Sequence, residues 1–287
     1  MKLSFLTNAI DDLEKAARLG FDGIELQAGA VVQVPEGHIN TEAIAQIKRL
    51  SEKHRVHVEA LAFYEIAFKQ QIYTSPEIML RAYEQVFNAA EKVGVTVIAS
   101  MAGFDPDRNW DANVQLFADR FGPIADLAEK RGIKIAFENW MALHGKLPFR
   151  PVNIGGSPDT WDAMFSAVPS RALGLEFDPS HLYWQGIDHI RALREFKDRI
   201  YHVHAKDTEM LPERRYRGGV NGDYFRFRIP GYGEINWAQF ISTLDEIGYS
   251  GDVAIEHEDS VYWNDRFDEG LDRGWQVLYP LIHPQKR

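Results

Sequence analysis

Cysteine is absent from this chain, which removes disulfides, thiolate metal sites and a cysteine nucleophile together. A reducing cytoplasm is the compartment expected for such a composition. Basic residues are outnumbered, 32 Lys and Arg against 42 Asp and Glu, for a formal charge of -10. The summed field therefore repels a phosphate backbone, and no nucleic-acid partner is expected. No stretch reaches the roughly 18 uninterrupted apolar residues of a membrane span, so no membrane partner is expected either. The opening MKLSFLTNAIDDLEK meets Asp11, Asp12 and Glu14 too early for a signal peptide. Also missing is a G-x-G-x-x-G opening a helix after the first strand, which leaves an open dinucleotide-binding sheet without its usual support. The short GGS at 155–157 reads as a loop before a helix capped near Ser157.

What is present is a repeated unit: an amphipathic run with helical spacing, a glycine, two or three residues, then a short apolar strand. DLEKAARLGFDGIELQ, AYEQVFNAAEKVGVTVIAS and FISTLDEIGYSGDVAIEHE show it, as does the stretch running through LAEKRGIKIAFEN. Gly20, Gly94, Gly132 and Gly248 stand where a helix ends, the position at which a left-handed residue closes the last turn. Strands are expected at 3–7, 23–27, 57–62, 96–100, 134–138, 174–178, 200–204 and 253–256. Helices are expected at 11–19, 41–54, 76–93, 113–131, 159–167, 187–196, 237–247 and around 270–279. Eight strands alternating with helices imply parallel pairing through crossovers. With 287 residues, 45% of them hydrophobic, the count fits an α/β fold, a single (β/α)8 TIM barrel occupying residues 1–287 as one domain.

In such a barrel the chemistry sits at the carboxyl ends of the strands. The first four ends offer little that is sharp: Thr7 and Asn8, Glu25 and Gln27, Phe63 and Tyr64, then Met101 to Phe104. The last four read IAFENW, LEFDPSH, VHAKD and AIEHED, and each delivers one ligand type: Glu138, Asp178, His204 and Glu256. Three carboxylates in one cleft repel each other unless a cation intervenes. An oxygen-rich set with one imidazole suits a divalent metal, Mn²⁺ first, with Mg²⁺, Co²⁺ and Zn²⁺ as alternatives. His202, two residues deeper than His204, is expected to support the layer beneath it. Any single acid at a strand end could equally be a helix cap, and it is their coincidence on consecutive strands that points to a site. Lys206 continues the row as a substrate-oxygen ligand or a loop cation. Phe104, Trp110, Trp140, Trp184 and Trp263 follow strand ends, where flat faces can pack on sugar C–H surfaces. GYGEINW reads as an ordered turn before the helix at Trp237, with Asn236 as its cap.

The succession E-N, D-P-S-H, H-x-H-A-K-D, PGYGEINW and I-E-H-E-D resembles the xylose isomerase-like barrel superfamily, in its sugar phosphate isomerase/epimerase branch. The likeness is strong from Lys134 to Asp259 and weaker before Gly94. It implies that Glu138, Asp178, His204 and Glu256 are metal ligands and that Glu138 and Glu256 exchange protons on opposite faces of a substrate. It further implies that His181 binds a substrate oxygen. Ketose 3-epimerases of this kind carry an arginine six residues after the metal-binding histidine; here that position is Met210, and the nearest arginines are Arg214, Arg215 and Arg217. The long loop RRYRGGVNGDYFRFRIPGYG looks more like members that handle larger or oxidised sugars, including 3-keto glycosides. A DNA-repair role would need a zinc cluster with further histidines on the early strands, which are not there.

The expected function is a divalent-metal-dependent sugar isomerase or epimerase that abstracts an α-proton next to a carbonyl through a metal-stabilised enolate. Glu138 and Glu256 are its expected catalytic residues, with His181, Lys206, Trp110 and Trp140 binding a small-molecule sugar or keto-sugar. A lyase acting on a 3-keto glycoside or inosose through the same site is the alternative, and a non-catalytic sugar-binding subunit the second. Aromatics at the rim suggest a homodimer or homotetramer.

Overall fold

In the computed structural model, all residues are described except 35–36, 66–74, 142, 145–149, 221–222 and 284–287. Asn221 and Gly222 of the long loop thus lie outside the described residues.

The eight expected strands form one closed parallel barrel. They are β1 (Lys2–Thr7), β2 (Gly23–Gln27), β3 (His57–Phe63), β4 (Val97–Ser100), β5 (Lys134–Glu138), β6 (Leu173–Phe177), β7 (Ile200–Ala205) and β8 (Asp252–Ile255). Each pairs with its neighbours in sequence, and β8 closes on β1 through Leu3 beside Val253 and Phe5 beside Ile255. Strands buried on both faces need apolar side chains pointing outward to the helices as well as inward. Leu3, Ile98, Ile135, Leu175, Val203 and Val253 are accordingly fully buried.

The helices lie where the periodicity put them: α1 (Asp12–Leu19), α2 (Thr41–His54), α3 (Pro76–Val93), α4 (Trp110–Arg131) and α5 (Pro158–Ala167) in the first part of the chain. Gly20, Gly94, Gly132 and Gly248 all have φ between 67° and 95°, where a Cβ would meet the following carbonyl oxygen. Asn40, Ser75 and Asn109 accept a backbone N–H at the starts of α2, α3 and α4, and Ser157 forms a capping box with Thr160 before α5.

Two short helices were not expected from the sequence. The segment assigned to one helix at 187–196 follows α6 (Pro179–Gln185), which begins at Asp178, and is itself the shorter α7 (His189–Glu195). The long loop after β7 holds a hairpin, Asp207–Met210 against Phe225–Arg228, with α8 (Pro212–Gly218) between its strands. The barrel then finishes with α9 (Trp237–Glu246), β8 and α10 (Phe267–Ile282). Among the described residues no helix is long and apolar enough to cross a membrane.

Candidate active site

The carboxyl ends of the strands surround a cavity of about 840 Å³, whose wall includes Glu138, Trp140, Lys206, Glu256, Glu258 and Trp263. At the base of this cavity and beneath it the titratable side chains fall into two layers, in each of which four residues lie close enough together to hold a metal ion. Glu25, Glu176, His202 and His204 form the lower group, and Glu138, Asp178, His181 and Glu256 the upper one.

The lower layer satisfies itself. His202 Nδ1 is 2.6 Å from Glu176 Oε1 and its Nε2 is 2.8 Å from Glu59 Oε1, which also accepts from Ser4 Oγ at 2.6 Å. The Tyr64 hydroxyl lies 2.6 Å from Glu176 and 3.1 Å from Glu25. Burial raises the Glu176 carboxyl to about 8 despite the neighbouring His204. The Tyr64 hydroxyl, with one proton to donate, stands between the two carboxylates and nearer to Glu176. Burial pushes Glu25 upward as well, but the charges of His204 and His202 outweigh it and its carboxyl ends up lowered. The same burial thus acts in opposite directions on two acids of this floor, raising Glu176 and being outweighed at Glu25 by the two imidazoles.

The upper layer is not satisfied in that way. Glu138 Oε1, Asp178 Oδ2, both ring nitrogens of His181 and Nδ1 of His204 are buried without a hydrogen-bond partner. Buried polar atoms left so are costly and call for an explanation. They converge: His181 Nε2 is 3.5 Å from Glu138 Oε1 and 3.4 Å from Asp178 Oδ2, while His204 Nδ1 is 3.5 Å from Glu138 Oε1 and 3.0 Å from Glu256 Oε2. Burial works against ionising Glu138, yet His181, His204 and Lys206 together hold its carboxyl well below the usual range. Oxygen-rich, anionic and short of hydrogen bonds, this donor set fits a divalent cation.

Local structure aims each group. Asn139 fastens two strand ends, accepting from Asp178 N at 2.7 Å and donating to Asp178 O at 2.9 Å. Asp178 serves both roles weighed for a strand-end acid. Its Oδ1 accepts Ser180 N at 2.8 Å as the cap of α6, and its Oδ2 faces the cluster. His204 Nε2, 2.8 Å from Glu25 Oε2, can donate there and leave Nδ1 with a lone pair towards the acids. The hairpin supplies one wall: Phe227 stands edge-on to His181 at 5.2 Å and 4.6 Å from the Lys206 ammonium.

Asp207, next to Lys206, holds the GYGEINW turn. Its carboxylate accepts from the backbone of Thr208, Gly231, Gly233 and Ile235 and from the Trp237 indole. A Cβ at Gly233 would overlap that carboxylate, so glycine is what lets the turn approach. Asn236 caps α9 by accepting from Gln239 N.

The expected residues are thus brought together in large part. Glu138, Asp178, His181, Lys206 and Glu256 share the upper layer, His204 bridges the two layers, and Trp140 and Trp263 border the cavity. Trp110 is 41% exposed and packs on Phe104 away from the cavity wall. Trp184 is buried and stacks on Phe225 at 4.7 Å, which corrects its expected place at the rim. Sequence reasoning passed over Glu59 and gave Glu25, Tyr64 and Glu176 no role. The available signal was a carboxylate inside a short apolar strand, as in GIELQ, HVEALAF and LGLEF.

Among proteins of known sequence, the uncharacterized protein YfiH of Bacillus subtilis is 26% identical, with 90% of this chain and 93% of that protein covered. The inosose isomerase of Halalkalibacterium halodurans is 23% identical over 87% of this chain and 83% of its own length. Among solved structures, that of the IOLI protein with a bound zinc atom shares 21% identity at a TM-score of 0.72, covering 98% of each chain. The sequence profile of the xylose isomerase-like TIM barrels matches residues 13–277, and the chain belongs to that family.

Proposed function

We propose that this protein is a divalent-metal-dependent isomerase or epimerase of a keto sugar or keto cyclitol. The observation that carries the reading is the upper layer, where three acids and two imidazoles converge and Glu138 Oε1, Asp178 Oδ2, both ring nitrogens of His181 and Nδ1 of His204 are buried without a hydrogen-bond partner. Glu138, Asp178, His204 and Glu256 would hold the ion, with His181 beside them. Mn²⁺, Mg²⁺, Co²⁺ and Zn²⁺ all suit oxygen ligands with an imidazole, and zinc is the ion bound by the similar IOLI protein. When bound, the ion supplies Lewis acidity that polarises a carbonyl and acidifies the carbon next to it.

The chain's own groups do the rest. Glu138 and Glu256 both reach the cavity, so one carboxylate can take a proton from the carbon beside the carbonyl while the other returns one from another side. Their oxygens are held low in pKa, Glu256 because the Lys206 and His204 charges outweigh its burial. A carboxylate at that point starts ionised, as a base must. His181 and Lys206 are placed to hold substrate oxygens, and Trp140 offers a flat face for a sugar ring.

An inosose isomerase and several inosose dehydratases are among the similar proteins, and both activities begin with proton abstraction beside the carbonyl of a keto cyclitol, so the fate of the enolate is what the test must read. The test is turnover of an inosose, fructose, psicose and a 3-keto glucoside by the metal-loaded protein, with products identified by NMR. An isomer or epimer of one substrate is expected. Release of water or of an aglycone would replace this reading with the lyase, and retained metal without turnover would favour a binding subunit.

A further inference from the structure

The ammonium of Lys206 stands where the acids converge. Its Nζ is 2.5 Å from Glu256 Oε2, 3.0 Å from Glu258 Oε2, 3.3 Å from Asp178 Oδ2 and 3.9 Å from Glu138 Oε1. With 1% exposure it is screened from water, so those carboxylates are what keep its charge favourable. Three of the four belong to the set assigned to the ion. The fourth, Glu258, lies outside the convergent group; its side chain is 43% exposed and borders the cavity.

The ammonium lies against Glu138 Oε1, Asp178 Oδ2 and Glu256 Oε2, the same oxygens that face the convergent imidazoles, so an ion drawn to those oxygens meets it there. A divalent ion among Glu138, Asp178 and Glu256 would stand against the ammonium within a few ångströms, in surroundings of low dielectric where repulsion is strong. Glu258 can remain with the ammonium because it is already in contact and is not needed by the ion. We propose that Lys206 is an internal counter-ion that competes with the divalent metal for Glu138, Asp178 and Glu256. Glu258 is then the carboxylate that retains the ammonium when the others hold the ion. The inference rests on the upper layer being the metal site. It makes Glu258 a determinant of metal affinity that does not itself ligate, and it leaves the Lys206 charge at the cavity wall where a substrate oxygen can meet it.

The test is titration of the chelator-stripped, full-length protein with Mn²⁺, following free Mn²⁺ by electron paramagnetic resonance. K206M and K206Q remove the competitor and should each bind Mn²⁺ about tenfold or more tightly than the parent. Circular dichroism and melting of the stripped variants establish that both are folded, and K206Q retains a polar group should K206M fail to fold. E258Q should bind about tenfold more weakly while Lys206 is present, and in the K206M background it should make no difference, the signature of coupling between the two residues. The proposal is overturned if the Lys206 variants bind no more tightly than the parent. It is equally overturned if E258Q has no effect, or weakens binding equally in both backgrounds as a direct ligand would. A parent that takes up no Mn²⁺ at all refutes instead the metal reading on which the inference stands.

Discussion

Asparagine at position 207 is the substitution whose effect the structure specifies most closely. Oδ1 of Asp207 accepts Thr208 N at 2.8 Å and Ile235 N at 3.0 Å. Oδ2 accepts Gly231 N at 2.9 Å, Gly233 N at 3.1 Å and Trp237 Nε1 at 2.8 Å. All five partners are donors, so an Asn side chain, with one oxygen and one NH₂, keeps three of these bonds at best and turns its own donors on the other two. A hydrogen bond to a charged group contributes roughly 1.5–3 kcal/mol, and orphaned buried donors add their own cost. Because the bonds share one carboxylate their losses do not sum fully, and D207N should destabilise the protein by about 3 kcal/mol. At the low end of the size scaling, about 2 °C per kcal/mol, that is a drop of roughly 6 °C in Tm. Calorimetry measures it, and faster hydrogen exchange at the Trp237 indole should localise it to the turn. A variant melting within about 1 °C of the parent would refute the account of Asp207 as the clasp of this segment.

Two further outcomes follow from groups below and beneath the cavity. At the amino-terminal end of the barrel His57 Nε2 is 2.7 Å from Asp252 Oδ2. Burial alone would lower the imidazole, but the Asp252 hydrogen bond and charge raise it above 6.5. A value raised on folding gives stability that is fully present below about pH 6.5 and lost as the pH climbs through the folded value. Tm should therefore decline with pH in that range for the parent and be flatter for D252N; parallel profiles would contradict the pairing. In the lower layer, E25Q removes the carboxylate that holds His204 Nε2. Mn²⁺ affinity should fall by about 10–100-fold, the usual scale for a partner that orients a ligating histidine, and an unchanged titration would mean that Glu25 does not set the ring's orientation.

How far the sequence leads depends on whether a feature is local. Helix ends were readable because Gly20, Gly94, Gly132 and Gly248 carry a backbone requirement in one residue. The strands were readable because short apolar runs follow them at regular spacing. Glu138, Asp178, His204 and Glu256 stood out because each stands within one residue of the end of its own strand, in a run of polar residues. Glu59 was not readable as part of the site, because its partner His202 is 143 residues away and nothing near HVEALAF reveals a buried imidazole. The competition at Lys206 was equally hidden, since Glu256 and Glu258 reach it only when β7 pairs with β8. The helix α6 was missed because its seven residues are too few for a helical period to show, although Asp178 caps it and Pro179 opens its first turn.

The central claim is proton abstraction beside a carbonyl by Glu138 and Glu256 at a metal site. Its most direct test is solvent exchange, followed by proton NMR in D₂O with the Zn²⁺- or Mg²⁺-loaded protein and an inosose or another keto sugar of the panel. Deuterium should enter the carbon next to the carbonyl at a rate that E138Q and E256Q each lower about a hundredfold or more, the scale of losing a general base, with metal supplied at concentrations that keep each variant loaded, because each substitution also replaces a charged ligand of the ion. Metal bound at the upper layer with no deuterium entering any substrate, or exchange indifferent to both substitutions, would contradict it.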